Sequence, residues 1–155
     1  MNRFQASAIC AVATVLNLLA AAPAAAQIRI GQTSGFTGPV AAAVSEINIG
    51  AKLYLDSVND EGGVSGQKIE LVSLDDKNQV PLAAENAKQL IADSRTVALF
   101  LTRGTPHAQA MLPLLAEGSI VLVAPSTGAM VLHKPVNPWV FNVRATYQVE
   151  AERVV

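Results

Sequence analysis

From Ile28 onward the chain alternates strand-like and helix-like hydrophobic periods, and its strand-like runs are almost continuously apolar. "IRIGQTS" (28–34), "GQKIELVSLDD" (66–76), "TVALFL" (96–101), "SIVLVAP" (119–125) and "WVFNVR" (139–144) read as five strands. A strand without a polar face has to be covered on both sides. Strands separated by helix-length segments pair in parallel, because a parallel neighbour is reached only by a crossover. Right-handed crossovers then leave an α/β fold with a doubly wound parallel sheet.

The intervening segments carry the helical period. Residues 44 to 58 place Val44, Ile47, Ala51, Leu55 and Val58 on one face, and "NDEGG" ends the helix where Gly62 or Gly63 can take the left-handed conformation. "NQVPLAAENAKQLIADS" (78–94) has Pro81 in its first turn, where a missing N–H is harmless. "TPHAQAMLPLLAEG" (105–118) turns Ala108, Met111, Leu112 and Leu115 inward, and Pro113 is expected to kink or interrupt it. "ATYQVEAERVV" (145–155) begins a further helix and stops in mid-pattern, as a fragment would.

Residues 1–26 are read as a signal peptide. Arg3 precedes the apolar stretch "ASAICAVATVLNLLAAAPAAA", and Ala24-Ala25-Ala26 supplies the small-residue pattern for cleavage after Ala26. A retained anchor is the alternative, and the Ala-rich, Leu-poor character of residues 20–26 counts against it. The single cysteine, Cys10, falls inside this segment. The exported chain is therefore expected to carry no disulfide, thiol ligand or thiol nucleophile. With 11 Lys+Arg against 12 Asp+Glu, scattered along the chain, there is no electrostatic footprint for nucleic acid or anionic lipid.

Ligands of open parallel sheets bind at the carboxyl ends of the strands. The loops there hold "TSGFTGPVAAA" (33–43), "DDKNQ" (75–79), "TRGTP" (102–106), "APSTGAM" (124–130) and "VRATY" (143–147). Gly104-Thr105-Pro106 and Ser126-Thr127-Gly128 offer backbone N–H groups, small hydroxyls and close approach, a combination that holds a carboxylate or other anion. Each has a second reading. Thr105 could be an N-cap with Pro106 at the first helical position, and Ser126 and Thr127 could cap a short helix at 128–132. Asp75-Asp76 is read as helix-capping and solvent-exposed, and His107 and Arg103 as surface residues. No G-x-S-x-G turn, zinc-spaced histidine pair, dinucleotide fingerprint or P-loop occurs, so neither a catalytic centre nor a cofactor or metal is expected.

Taken together, "IRIGQTSGFTGPVA", "NIGAKLYLDSVNDEGGVSGQKIELVSLDD", "GTPHAQAMLPLL", "APSTGA" and "FNVRATY" resemble the periplasmic solute-binding proteins of the branched-chain amino-acid (Leu/Ile/Val) type. The resemblance runs from about residue 28 to the last residue. It implies two α/β lobes joined by hinge strands, a chain more than twice this length, and a full-length monomer. It also implies a small solute held between the lobes and passed to an inner-membrane ABC permease. Residues 27–155 would be an incomplete first lobe. By position, the first-lobe contacts fall on Gly104, Thr105, Pro106, Ser126, Thr127 and Gly128, with Tyr147 at the rim. Where amino-acid binders of this type often place an aromatic residue, this chain has Ala43, and Phe36 is the substitute. Together with Arg103, that departure widens the expected solute from an amino acid to an aromatic or aliphatic carboxylate or an amide. An exported sensor domain or enzyme on the same fold is the alternative function.

Overall fold

Five strands pair in one sheet in the order β2-β1-β3-β4-β5, and every pairing is parallel. The computed structural model describes residues 27–155, so the expected signal peptide lies outside the described residues. The strands are β1 (Ile28–Ser34), β2 (Ile69–Asp75), β3 (Thr96–Phe100), β4 (Val121–Val123) and β5 (Val140–Phe141). Between them run α1 (Ala41–Asp60), α2 (Val80–Ala92) and α3 (Thr105–Glu117), and α4 (Tyr147–Val154) follows β5. Among the described residues no helix is long and apolar enough to cross a membrane.

The order of the strands dictates where the helices go. The chain steps one way from β1 to β2 and then crosses back over β1 to β3. With right-handed crossovers, α1 must lie on one face of the sheet and α2 and α3 on the other. The core forms on the second face. Ala87 and Leu90 of α2, Leu99 of β3, Ala108, Met111 and Leu115 of α3, and Ile120, Leu122 and Leu132 pack into one cluster. Close approach of α2 to β1 depends on Gly31, since a Cβ there would stand 3.1 Å from the Leu90 side chain.

The α1 face is more open than continuous apolar strands led one to expect. Of the inward positions Val44, Ile47, Ala51, Leu55 and Val58, only Val44 is fully buried, and Ile47 remains 41% exposed. The spacing is right, but α1 is the one crossover helix on that face and has no neighbouring helix to close its flanks. Tyr54 and Leu53 consequently stand exposed on it.

Three local expectations are revised. Pro113 does not interrupt α3, which runs through it; the proline sits on the exposed side, so the carbonyl it leaves unpaired faces water. The fourth and fifth strands are shorter than their apolar runs. Ala124 turns into the left-handed region (φ 52°) and Pro125 has no N–H, so the β4 ladder ends at Val123. β5 is an edge strand of two residues whose successor, Asn142, donates its side chain to the Leu132 carbonyl at 2.6 Å. The end of α1 follows expectation: Gly62 and Gly63 both have positive φ, and the Gly63 N–H closes on the Val58 carbonyl at 2.8 Å.

Met111, with no exposed surface, sits at the centre of the α3 contact. Met111→Ala is expected to lower unfolding free energy by about 2–5 kcal/mol. Val97→Ala, at a side chain 56% exposed, should change it by no more than about 0.5 kcal/mol. Urea denaturation of the two variants checks this, and equal losses would contradict the placement of the core.

Candidate functional site

The chain reverses its direction of travel between β1 and β3, so the loops leaving these adjacent strands diverge and open a crevice at their carboxyl ends. The cleft found there is lined by Gln32 and Ser34 of β1, Val44 and Ile47 of α1, and Leu101, Arg103 and Ser126 from the loops after β3 and β4. Topology alone therefore places a concave surface at this point.

Backbone strain shapes its far wall. Leu101 and Ala124, the residues that follow β3 and the β4 ladder, are both left-handed, with φ of 57° and 52°. Each such non-glycine residue costs roughly 1–2 kcal/mol. Just beyond the named strands each still makes one cross-strand bond, the Leu101 N–H donating to the Val123 carbonyl at 3.0 Å and the Ala124 N–H to the Phe141 carbonyl at 2.8 Å. Beyond them the chains run side by side again. Arg103 and Ser126 form a parallel bridge, and the Ser126 N–H donates to the Thr102 carbonyl at 2.8 Å. Ser34 ties this strip back to β1, its hydroxyl donating to the Leu101 carbonyl and accepting the Arg103 N–H, both at 3.3 Å.

A chain of hydroxyls then locks the two turns together. Thr105 Oγ1 meets Thr127 Oγ1 at 2.7 Å, and Thr127 Oγ1 meets the Tyr147 hydroxyl at 3.0 Å. The same Thr127 oxygen accepts the Ala129 N–H at 3.3 Å. The Tyr147 N–H donates to the Gly128 carbonyl at 2.8 Å, and a Cβ at Gly128 would fall 2.7 Å from the Ala145 carbonyl, so only glycine lets the β5–α4 segment settle there. Gly104, at φ 100°, is the N-cap of α3 and lies so close to His107 that a Cβ would stand 2.8 Å from its Nδ1.

Seven of the eight residues singled out from the sequence thus come together: Gly104, Thr105, Pro106, Ser126, Thr127, Gly128 and Tyr147. Their parts differ from those read along the chain. Thr105 is not an N-cap; it is the first helical residue, and its hydroxyl is spent on Thr127. Thr127 is fully buried and internally bonded, so it fixes the turns relative to each other. Of the three residues in its turn, only Ser126 lines the cleft. Phe36 does not share in these bonds and is not among the residues lining the cleft; its N–H donates to Asp75 and to the Ser34 carbonyl, both at 2.9 Å. Gln32, Ser34 and Leu101 also line the cleft and are not among the residues the sequence singles out. The signal lies at the end of β1, where Gln32, Thr33 and Ser34 are three polar residues in a row and Gln32 and Ser34 alternate onto the cleft side.

Arg103 also changes standing, from a solvent residue to part of the cleft wall. His107 is buried rather than on the surface, because α3 begins beneath the loop and carries it inward. The aspartate pair divides. Asp75 caps no helix, contrary to expectation; it tethers the loop after β1, accepting the Thr37 hydroxyl at 2.6 Å and the Phe36, Thr37 and Lys77 N–H groups. Burial pushes its carboxyl up, but the Thr37 hydroxyl and the three N–H groups outweigh burial and hold it below the usual carboxylate range. Asp76 has no exposed surface, contrary to the expectation of solvent exposure. It accepts the Thr33 hydroxyl and the Asn78 N–H, and burial leaves its carboxyl above the ordinary value. Their effects on stability oppose each other. The Asp75 contribution is present above the unfolded-state pKa and lost as pH falls, while that of Asp76 is lost as pH rises.

Comparison with known proteins places this geometry. A family profile described as "Periplasmic binding protein" matches residues 27–155. The chain belongs to the periplasmic binding protein family. The Leu/Ile/Val-binding protein BraC3 of Rhizobium johnstonii is 35% identical over 124 residues, which cover 79% of this chain and 33% of that protein. The crystal structure of an extracellular ligand-binding receptor from Verminephrobacter eiseniae superposes with a TM-score of 0.77 at 36% identity, over 83% of this chain and 37% of that one. The branched-chain amino acid transporter substrate-binding protein LivJ from Streptococcus pneumoniae, solved in complex with isoleucine, gives 0.71 at 26% identity, over 77% and 34%. The chain thus spans about a third of the length of these relatives.

Tyr147 reports on the hydroxyl chain. Its phenol is held below the ordinary tyrosine value, first by the Thr127 hydroxyl and, more weakly, by Arg144, whose Cζ lies 5.1 Å from the ring centroid. Thr127→Val removes the central hydroxyl, so the Tyr147 phenol should titrate at higher pH, nearer the usual ~10. Loss of a buried hydroxyl with several partners should also cost about 1–3 kcal/mol. Ultraviolet titration of tyrosinate, with Tyr147→Phe to assign the second tyrosine, checks the shift; an unmoved Tyr147 would mean that the turns are not coupled through Thr127.

Proposed function

We propose that this chain is the beginning of an extracytoplasmic solute receptor: residues 1–26 a signal peptide removed after Ala26, residues 27–155 part of the first of two lobes. The receptor takes a small polar solute, an amino acid or a related carboxylate or amide, into the crevice between its lobes. It delivers the solute to an ABC permease of the inner membrane. It performs no turnover, and when full length it is a monomer.

One observation carries this reading: the cleft at the strand-order reversal, with two loops beyond β3 and β4 pinned edge to edge by the Arg103–Ser126 bridge and the Thr105–Thr127–Tyr147 hydroxyls. A wall held in this way is pre-organised, which reduces the ordering cost of capturing a solute. Family membership and the Leu/Ile/Val-binding names of the relatives support the solute class. A single open wall cannot remove a small solute from water, so a second lobe closing over it is part of the proposal.

The intact mass of the native protein from a periplasmic extract tests it. The expected product begins at Gln27 and weighs well over twice residues 27–155. A cytoplasmic product retaining Met1 would overturn the reading.

A further inference from the structure

Deepening the receptor reading, on which it rests, we propose that Arg103 is the anion anchor of the cleft and that the solute is an organic carboxylate whose apolar body lies along Leu101 and Val143.

The first ground is the charge pattern. Arg29 is held by Glu70 and Asp93, Arg95 by Asp93, and Arg144 by Glu150 in a two-point pair at 2.6 and 2.7 Å. Arg153 is exposed on the short terminal helix. Arg103 is half-buried and lines the cleft, yet it has no carboxylate or hydrogen-bond partner for its guanidinium among the described residues. A guanidinium held partly out of water without a counter-charge is poised for a planar, two-oxygen anion.

The second ground is the polarity of its neighbours. Gln32 is 1% exposed and lines the cleft; its carbonyl oxygen is taken by the Ser73 hydroxyl at 2.9 Å, while its amide nitrogen has no partner among the described residues. The Ser126 hydroxyl is likewise unpaired there. Guanidinium, amide N–H and hydroxyl are donors, and among the described residues no Asp or Glu lines the cleft to receive an ammonium group. This wall offers hydrogen atoms to an acceptor-rich anion.

The third ground is an apolar shelf continuous with the polar end. A second hollow, lined by Leu101, Ala124, Pro125, Ser126, Val143 and Arg144, shares Leu101 and Ser126 with the first. Val143 is 80% exposed on it, and Arg144 is already neutralised by Glu150. A solute with its carboxylate at Arg103 would therefore extend over aliphatic side chains, with no second charge to satisfy on this wall.

The test uses the full-length receptor recovered from the periplasm and freed of bound solute. Hexanoate, benzoate and leucine are titrated calorimetrically beside hexanamide, benzamide and leucinamide. The wild-type protein should bind hexanoate or benzoate more tightly than the matching amide. Arg103→Gln should weaken the acid by about ten- to a hundredfold, the usual effect of losing a charged hydrogen bond, and leave the amide nearly unchanged. Arg103→Lys, which keeps the charge and loses the fork, should fall between, and it decides the matter if the glutamine variant does not fold. An acid-to-amide ratio that survives both variants, or leucine bound tightly and indifferent to them, would overturn the proposal while leaving the receptor reading intact. A wild-type receptor that binds no member of the series would overturn both.

Discussion

The crossing of the chain from β2 over β1 to β3 is the constraint on which the rest of the structure depends. A parallel sheet admits no tight turns, so every strand must be reached by a crossover that carries the chain back to the opposite end, by a helix in the case of β2, β3 and β4. Once the first crossover has gone one way and the second has returned the other, the helices are divided between two faces, and the loops after β1 and β3 are forced apart. The cleft is thus a consequence of connectivity, available before any side chain is chosen. The side chains at its lip then determine what it can hold.

That lip is kept open at a local cost. Leu101 and Ala124 both adopt backbone conformations better suited to glycine, at equivalent points on neighbouring strands. Strain of this kind persists where surrounding contacts over-determine the geometry. Here those contacts are identifiable: the two cross-strand bonds, the Arg103–Ser126 bridge and the oxygen of Thr127 with its three partners. Burial of Thr127 removes water as a competitor for these bonds, so the turns are set by each other rather than by solvent.

Much of this was legible in the sequence. Continuous apolar strands separated by helical segments specify a parallel sheet, and the glycine, proline and threonine clusters mark the loops that meet at its edge. What could not be read lies across the strands. Thr105 next to Pro106 reads as a cap along the chain, while its actual partner, Thr127, is 22 residues away. Gln32 and Ser34 look like ordinary strand residues until β3 is laid beside β1. His107 and Asp76 seemed exposed because polar residues at loop ends usually are; the close seating of α2 and α3 against the sheet buries both. Phe36 shows a cross-strand contact of the same kind. Its loop belongs to the cleft by sequence order, but Asp75 draws it toward β2.

A crystal structure of the full-length receptor with its own solute retained from the periplasm would test the central claim most directly. The expected result places a polar group of the solute within about 3 Å of the Arg103–Ser126 strip, with Thr105, Thr127 and Tyr147 bonded to one another behind it. A solute seated instead beside Phe36 and Asp75, or one for which the Thr127 hydroxyl has exchanged its partners for direct contact, would contradict it.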